Sequence, residues 1–225
     1  MALILLLETS GEKCSVGLAK DGKLMGLKEI TQPNQHASQL QILVQDVLNQ
    51  HKLDKEQLNA IAVSKGPGSY TGLRVGVSAA KGYCFGLDIP LIGISTLEAL
   101  SCSAIASNYQ ADALYLPMID ARRMEVFCQL RNANNDAINE AEPIILEESS
   151  FSGIEQPILC FGSGAEKFVT KFPKSGIKLL PHIELSAGNL AGPAEERYQA
   201  AVFENLAYFE PFYLKEFYST QKIKE

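Results

Sequence analysis

Four glycines and a proline crowd the stretch Ser64–Gly76, SKGPGSYTGLRVG, and Gly66, Pro67, Gly68 and Gly72 fall within seven residues. An apolar run, Ala60–Val63, leads into it and a long small-residue pattern at helical spacing follows. The stretch therefore reads as strand, tight loop, helix, the building unit of an α/β fold. Glycines let backbone N–H groups approach an anion, and a helix N-terminus adds partial positive charge. The loop is not a Walker A sequence, because Leu73 and Arg74 follow Gly72 where Lys and Ser or Thr are needed, and it is not G-x-G-x-x-G either. Two readings stay open, an anion cradle through Gly66, Gly68 and Ser69, and a plain strand-to-helix turn.

Composition narrows the function classes. The 225 residues are 46% hydrophobic and 20% charged, which is ordinary globular material, enough for one large domain or two small halves. The net charge is -6 and the 20 basic residues are scattered, so the chain does not read as a stand-alone nucleic-acid binder. The densest lysine cluster, Lys215, Lys222 and Lys224, reads as a solvated terminus. The five cysteines are widely spaced without a C-x-x-C, which argues for reduced thiols in a cytoplasmic setting and against a zinc site. Ala2–Leu7 is apolar but ends at Glu8 and lacks a basic lead, so it reads as a buried strand and not a signal peptide. No apolar run approaches the roughly 20 residues of a membrane span.

Taken in order, Leu3–Glu8, Cys14–Ala19 and Lys23–Thr31 form an antiparallel meander, with Asp21–Gly22 as a hairpin turn. Pro33 breaks the chain. His36–Gln50 then places Ala37, Leu40, Leu43, Val44, Val47 and Leu48 on one helical stripe, with Asn34 as a candidate cap. Asn59–Ser64 is the strand before the glycine loop. The helix after it, Tyr70–Phe85, carries Gly72, Gly76, Ser78, Ala79, Ala80 and Gly82. Interior glycine costs a helix about 0.5–1 kcal/mol relative to alanine, so something packs close to this backbone. That neighbour is either an element of the same domain or a helix of a partner protein. Leu91–Ile94 reads as a strand, and Ser95–Ser107 as a helix with Ser95 and Glu98 at capping-box spacing.

The second half echoes the first. Leu114–Asp120 is an apolar run ending in an acid, Ala121–Met124 turns, Glu125–Arg131 alternates, and Ala141–Leu146 follows a further turn. Pro157–Phe161, Gly162–Gly164 and a helix over Ala165–Lys171 repeat the strand–glycine–helix unit more weakly. Ala187–Tyr208 holds a helix interrupted at Gly192–Pro193. The chain thus reads as two pseudo-repeated α/β halves, residues 1–109 and 110–225.

Glu8 and Asp120 end the first strand of each half. Facing each other across a cleft, with Ser10 beside the first, they would hold a magnesium–phosphate group; alternatively each caps its own turn. His36 opens the first helix, but position i+4 is Leu40, so no metal-binding histidine pair forms and no metal site is expected. Ser69 has no base near it in sequence, and no catalytic constellation assembles.

Several motifs nonetheless form a known set. Lys65–Gly76 (KGPGSYTGLRVG), Gly93–Leu97 (GISTL), Ile119–Arg122 (IDAR) and Glu210–Lys215 (EPFYLK) stand in the order found in the bacterial TsaB (YeaZ) family, and the chain resembles that family over nearly its full length. The resemblance implies an actin-like, ribonuclease-H-like (ASKHA) fold of two halves. It implies a non-catalytic accessory role in making threonylcarbamoyladenosine on tRNA, as a heterodimer with the catalytic paralogue TsaD and in a complex with the ATPase TsaE. Transfer chemistry and metal would then belong to the paralogue. The partner interface would use the first two helices, through His36, Leu40, Leu43, Val44, Val47, Gly72, Leu73, Gly76 and Ala80, and the same faces could pair two copies of this chain. tRNA would be reached through the complex, with weak ATP or ADP and magnesium bound there through Glu8, Ser10, Gly66, Gly68, Ser69 and Asp120. Glu8 stands where the family more often has Asp, and Lys215 where Arg is usual. The alternative is a stand-alone ATP-binding kinase of the same superfold.

Overall fold

A computed structural model describes residues 2–31 and 35–215. Pro33, Asn34, Lys222 and Lys224 lie outside them, and with them the expected chain break, helix cap and most of the terminal lysine cluster. Strands β1 (Leu3–Glu8), β2 (Cys14–Lys20) and β3 (Lys23–Ile30) form the expected meander. Asp21 and Gly22 both take the left-handed conformation, φ 51° and 74°, whose twist suits a two-residue hairpin. Helix α1 (His36–His51), β4 (Ala60–Gly66), α2 (Tyr70–Leu87), β5 (Leu91–Ser95) and α3 (Thr96–Ser107) follow. The second half contains β6 (Leu114–Asp120), β7 (Glu125–Cys128), β8 (Glu142–Ile145), β9 (Ile158–Phe161), α4 (Ala165–Lys171) and β10 (Ile177–Leu179), and α5 (Ala191–Gln199) comes last.

The two five-stranded sheets have the orders β3-β2-β1-β4-β5 and β10-β9-β6-β7-β8. Reversing the second list gives β8-β7-β6-β9-β10, so β6 takes the place of β1 and each later strand matches in turn. The pairing senses match as well: β1 and β6 each run antiparallel to the next strand in sequence and parallel to β4 and β9 respectively. The pseudo-repeat is therefore a repeat of topology.

Strand β1 is buried on both faces, and its side chains alternate between two cores. Leu5 and Leu7 join Leu40, Leu43, Val44 and Val47 of α1 and Val77 and Ala80 of α2. Ile4 and Leu6 join Ala187, Leu190, Ala191 and Ala194. The expected second half, 110–225, is thus divided: residues from Ala187 onward cross back and cover the first sheet. Helix α3 lies between the sheets, with Ala99 in the Ile4–Leu6 core and Leu100 and Ala104 packed on Tyr115, Leu159 and Phe161 of the second sheet.

Three local expectations need correction. Ser95 precedes α3 without a side-chain capping bond, and Glu98, the other member of the expected capping box, is engaged elsewhere. Both Glu98 carboxylate oxygens accept from Arg197 of α5, at 2.8 and 2.7 Å. Gly192–Pro193 does not interrupt a helix; it sits in the first turn of α5, where proline gives up an N–H that has no partner in the helix. Strand β7 stops at Cys128, and Arg131 beyond it bridges Tyr115 and Ala137 singly.

Candidate functional site

The first turn and the glycine loop meet at the end of β1. Glu8 is fully buried. Its Oε1 accepts the Ser10 N–H at 2.7 Å and the Ser10 hydroxyl at 2.5 Å, and its Oε2 accepts the Ser64 hydroxyl from β4. Burial pushes the Glu8 carboxyl above its ordinary range; the Ser10 and Ser64 hydroxyls, the Ser10 N–H and the nearby His36 pull the other way without cancelling it. The Ser10 carbonyl accepts the Ser69 N–H at 2.7 Å, and a Cβ at Gly68 would come within 2.6 Å of that same oxygen. Ser69 caps α2 through its hydroxyl, which accepts the Gly72 N–H at 3.3 Å. Gly66 takes φ +118°, open to glycine and strained for other residues, with the Phe212 carbonyl against it. Glu8, Ser10, Gly66, Gly68 and Ser69 are therefore brought together, and they are packed on one another.

Asp120 lies at the matching point of the second sheet. Its Oδ1 accepts from Lys167 Nζ at 2.6 Å and from the Arg122 N–H at 2.7 Å, and its own N–H donates to Ser163 at 3.0 Å. Lys167 is held in place by the carbonyls of Arg123 and Glu125, at 2.9 and 2.7 Å. Both acids are thus turn-capping groups with donors from this chain. Among the described residues no cluster of three or more His, Cys, Asp or Glu side chains gathers for a metal. All five cysteines are free, and burial pushes the Cys84, Cys128 and Cys160 thiols up to about 12 and Cys14 and Cys102 to about 11, which leaves them protonated.

The helical pair α1–α2 corrects the expected interface. Leu40, Leu43, Val44, Val47 and Ala80 are at most 8% exposed and face this chain's own sheet, and Leu73 is buried with its Cδ1 beside Gly66 at the end of β4. Gly72 and Gly76 are buried too, and a Cβ on either would run into Thr9, whose hydroxyl donates to the Gly72 carbonyl at 2.7 Å. The close neighbour of those glycines is therefore the first turn of the same chain. His36 opens α1 half-buried, with its Nε2 covered and unpartnered. The outward stripe of α2 is a different set: Thr71, Arg74, Ser78, Gly82, Phe85 and Gly86. Gly82 and Gly86 meet nothing within 4 Å, and Phe85 is 83% exposed. On α1, Ile42 is half exposed beside Gln41, which accepts the Tyr83 hydroxyl of α2 at 2.5 Å.

A non-helical strap, residues 204–213, returns along α2. The Glu204 N–H donates to the Leu91 carbonyl at 2.9 Å and the Phe212 N–H to that of Lys65 at 2.6 Å. Lys81 donates to the Ala207 and Phe209 carbonyls, Phe209 enters the first core, and Tyr213 stacks on Tyr70 with ring centroids 4.4 Å apart. The strap and Lys167 escaped sequence reasoning, with the run Glu210–Leu214 the strap's one visible trace; of the outward stripe, Ser78 and Gly82 were visible only as small residues of the α2 pattern.

The TsaD family, described as tRNA N6-adenosine threonylcarbamoyltransferase, matches residues 29–223. Over 124 residues the chain is 37% identical to the tRNA threonylcarbamoyladenosine biosynthesis protein TsaB of Escherichia coli, covering 55% of this chain and 52% of that one. It is 32% identical to TsaB of Bacillus subtilis over 140 residues, 62% of this chain and 59% of that one. The chain belongs to the TsaB (YeaZ) group of this family. It spans little more than half the length of these TsaB relatives. YeaZ of Pseudomonas aeruginosa, 23% identical, superposes with a TM-score of 0.82 over 95% of this chain and 100% of that one, so the TsaB fold is present throughout. That fold is actin-like, two α/β halves of repeated topology.

Proposed function

We propose that the chain is a non-catalytic accessory subunit for forming N6-threonylcarbamoyladenosine on the adenosine next to the tRNA anticodon, and that it binds and supports a TsaD-type catalytic paralogue. The observation that carries this reading is a family fold in which the two strand-end acids, Glu8 and Asp120, are both engaged by donors of this chain. Glu8 is sealed by Ser10 and Ser64, Asp120 is paired with Lys167, and Leu40 stands where a second histidine would complete a pair with His36. The names of the TsaB relatives supply the pathway. A stand-alone kinase would need Glu8 or Asp120 free to hold a magnesium–nucleotide, and both are engaged.

The partner meets the outward stripe of α1 and α2, where Ser78, Gly82 and Gly86 let a second helix approach closely, and the same stripe pairs two copies when the paralogue is absent. A TsaE-type ATPase completes the complex. tRNA is reached through the paralogue, in keeping with the net charge of -6 here. The setting is cytoplasmic. No helix among the described residues is long and apolar enough to cross a membrane.

The test is reconstitution of tRNA modification with TsaD, TsaE and the enzyme supplying threonylcarbamoyl-adenylate, with and without this chain. Modified adenosine falls on omission if the reading holds. Unchanged product overturns it.

A further inference from the structure

Arg74 stands exposed on the outward stripe of α2, yet its guanidinium is held in place. Nε donates to the Tyr213 hydroxyl at 3.3 Å, Nη2 donates to the Tyr70 hydroxyl, and Cζ lies 4.0 Å from the Tyr70 ring centroid. Tyr213 stacks on Tyr70, so one hydroxyl from the strap and one from the helix hold the side chain beside the stacked pair. Neither hydroxyl brings a negative charge. The ion pairs among the described residues all use other cations. The remaining N–H donors of the guanidinium are left for a second acceptor, in the planar fork that matches a carboxylate. An exposed arginine ordinarily loses side-chain entropy on binding; here the tyrosines have already removed much of that freedom.

The surroundings decide which anion fits. Helix α2 contains no Asp or Glu from Tyr70 to Leu87, and its other cation, Lys81, is taken up by strap carbonyls. One aimed cation suits one carboxylate. A polyanion such as nucleic acid is held by clustered cations, which this face lacks among the described residues.

We propose that Arg74, aimed by Tyr70 and Tyr213, is the specificity contact of the outward α2 face and takes a carboxylate side chain of the TsaD-type partner. This rests on the reading above that α2 faces that partner. It assigns a role to the strap as well: Tyr213 is a positioning residue that acts through Arg74.

The experiment is calorimetric titration of the full chain with the TsaD-type paralogue at low and high salt. Wild type binds, and more weakly as salt rises. Arg74→Glu lowers affinity by at least about tenfold. Arg74→Lys falls between the two, because an ammonium supplies a point charge in place of a fork. Tyr213→Phe, which keeps the stacking and removes the hydroxyl, weakens binding by about threefold and reduces the gap between Arg74 and Arg74→Lys. Equal affinities for wild type and Arg74→Glu overturn the proposal and leave the α2 reading standing. Absence of binding by wild type overturns both. Unchanged heterodimer affinity, with loss of tRNA retention by the Arg74→Glu complex, puts a phosphate in the carboxylate's place and overturns the proposal too.

Discussion

Glu8 occupies a position that water does not reach, so its proton is tied to folding. Burial raises the carboxyl above its ordinary value in the folded chain. The folded state therefore holds the proton more tightly than the unfolded state. Its contribution to stability is fully present below the unfolded value of about 4.3 and is lost as pH rises through the folded value. Glu8→Gln removes that dependence without removing the geometry. The amide oxygen accepts from Ser10 and the amide N–H₂ donates to Ser64. Denaturant titrations from acid to neutral pH should show the variant gaining on wild type as pH increases, and parallel curves would count against a Glu8 carboxyl raised by burial. The acid at the end of the first strand was legible in the sequence, along with its counterpart Asp120. Their states were not. Ser64 lies far along the chain from Glu8 and Lys167 far from Asp120, and neither partner leaves a trace in local spacing.

At the scale of elements, α2 shows how one composition serves two environments. Its glycines were readable as a sign of close packing, but a helical pattern does not say which face meets which neighbour. The structure separates them. Gly76 lies against Thr9, so Gly76→Ala forces a methyl group into the first turn and should cost about 1–3 kcal/mol. Gly82 faces open space, and Gly82→Ala should stabilise the isolated chain by about 0.5–1 kcal/mol through helix propensity alone. Thermal or denaturant unfolding of the two variants checks both signs, and like signs would mean the helix is rotated from the position described. The capping box at Ser95 and Glu98 misled for a related reason. The spacing was right, but for the Glu98 half of the box Arg197 supplies a charged, two-pronged partner that a backbone N–H cannot match. β10 alternates, but over three residues only, too short a signal for periodicity to register.

For the whole molecule, the two-half architecture was visible because the strand–acid–turn pattern recurs, and the sheets repeat it in order and sense. The return of the chain after Ala187 was not visible. Nothing in the composition of that stretch distinguishes a segment that packs on the second sheet from one that packs on the first. The strap is held by a few backbone bonds and by Phe209, 7% exposed in the first core. Phe209→Ala should therefore cost about 3 kcal/mol, within the usual range for a buried phenylalanine, and should loosen Tyr213 and so Arg74. Amide hydrogen exchange would reveal the loosening as faster exchange at Glu204 and Phe212; exchange unchanged there would show that the strap is held independently of Phe209. The crossing-back also bears on how the protein is made. A ribosome delivers β1–β5 first and α3 next, which brings Ala99 to the Ile4–Leu6 face of that sheet, yet the rest of that face receives its cover only when Ala187–Ala194 emerges. Through most of its synthesis the nascent chain carries an open apolar surface, the kind of surface that chaperones shield, and its first half is finished last.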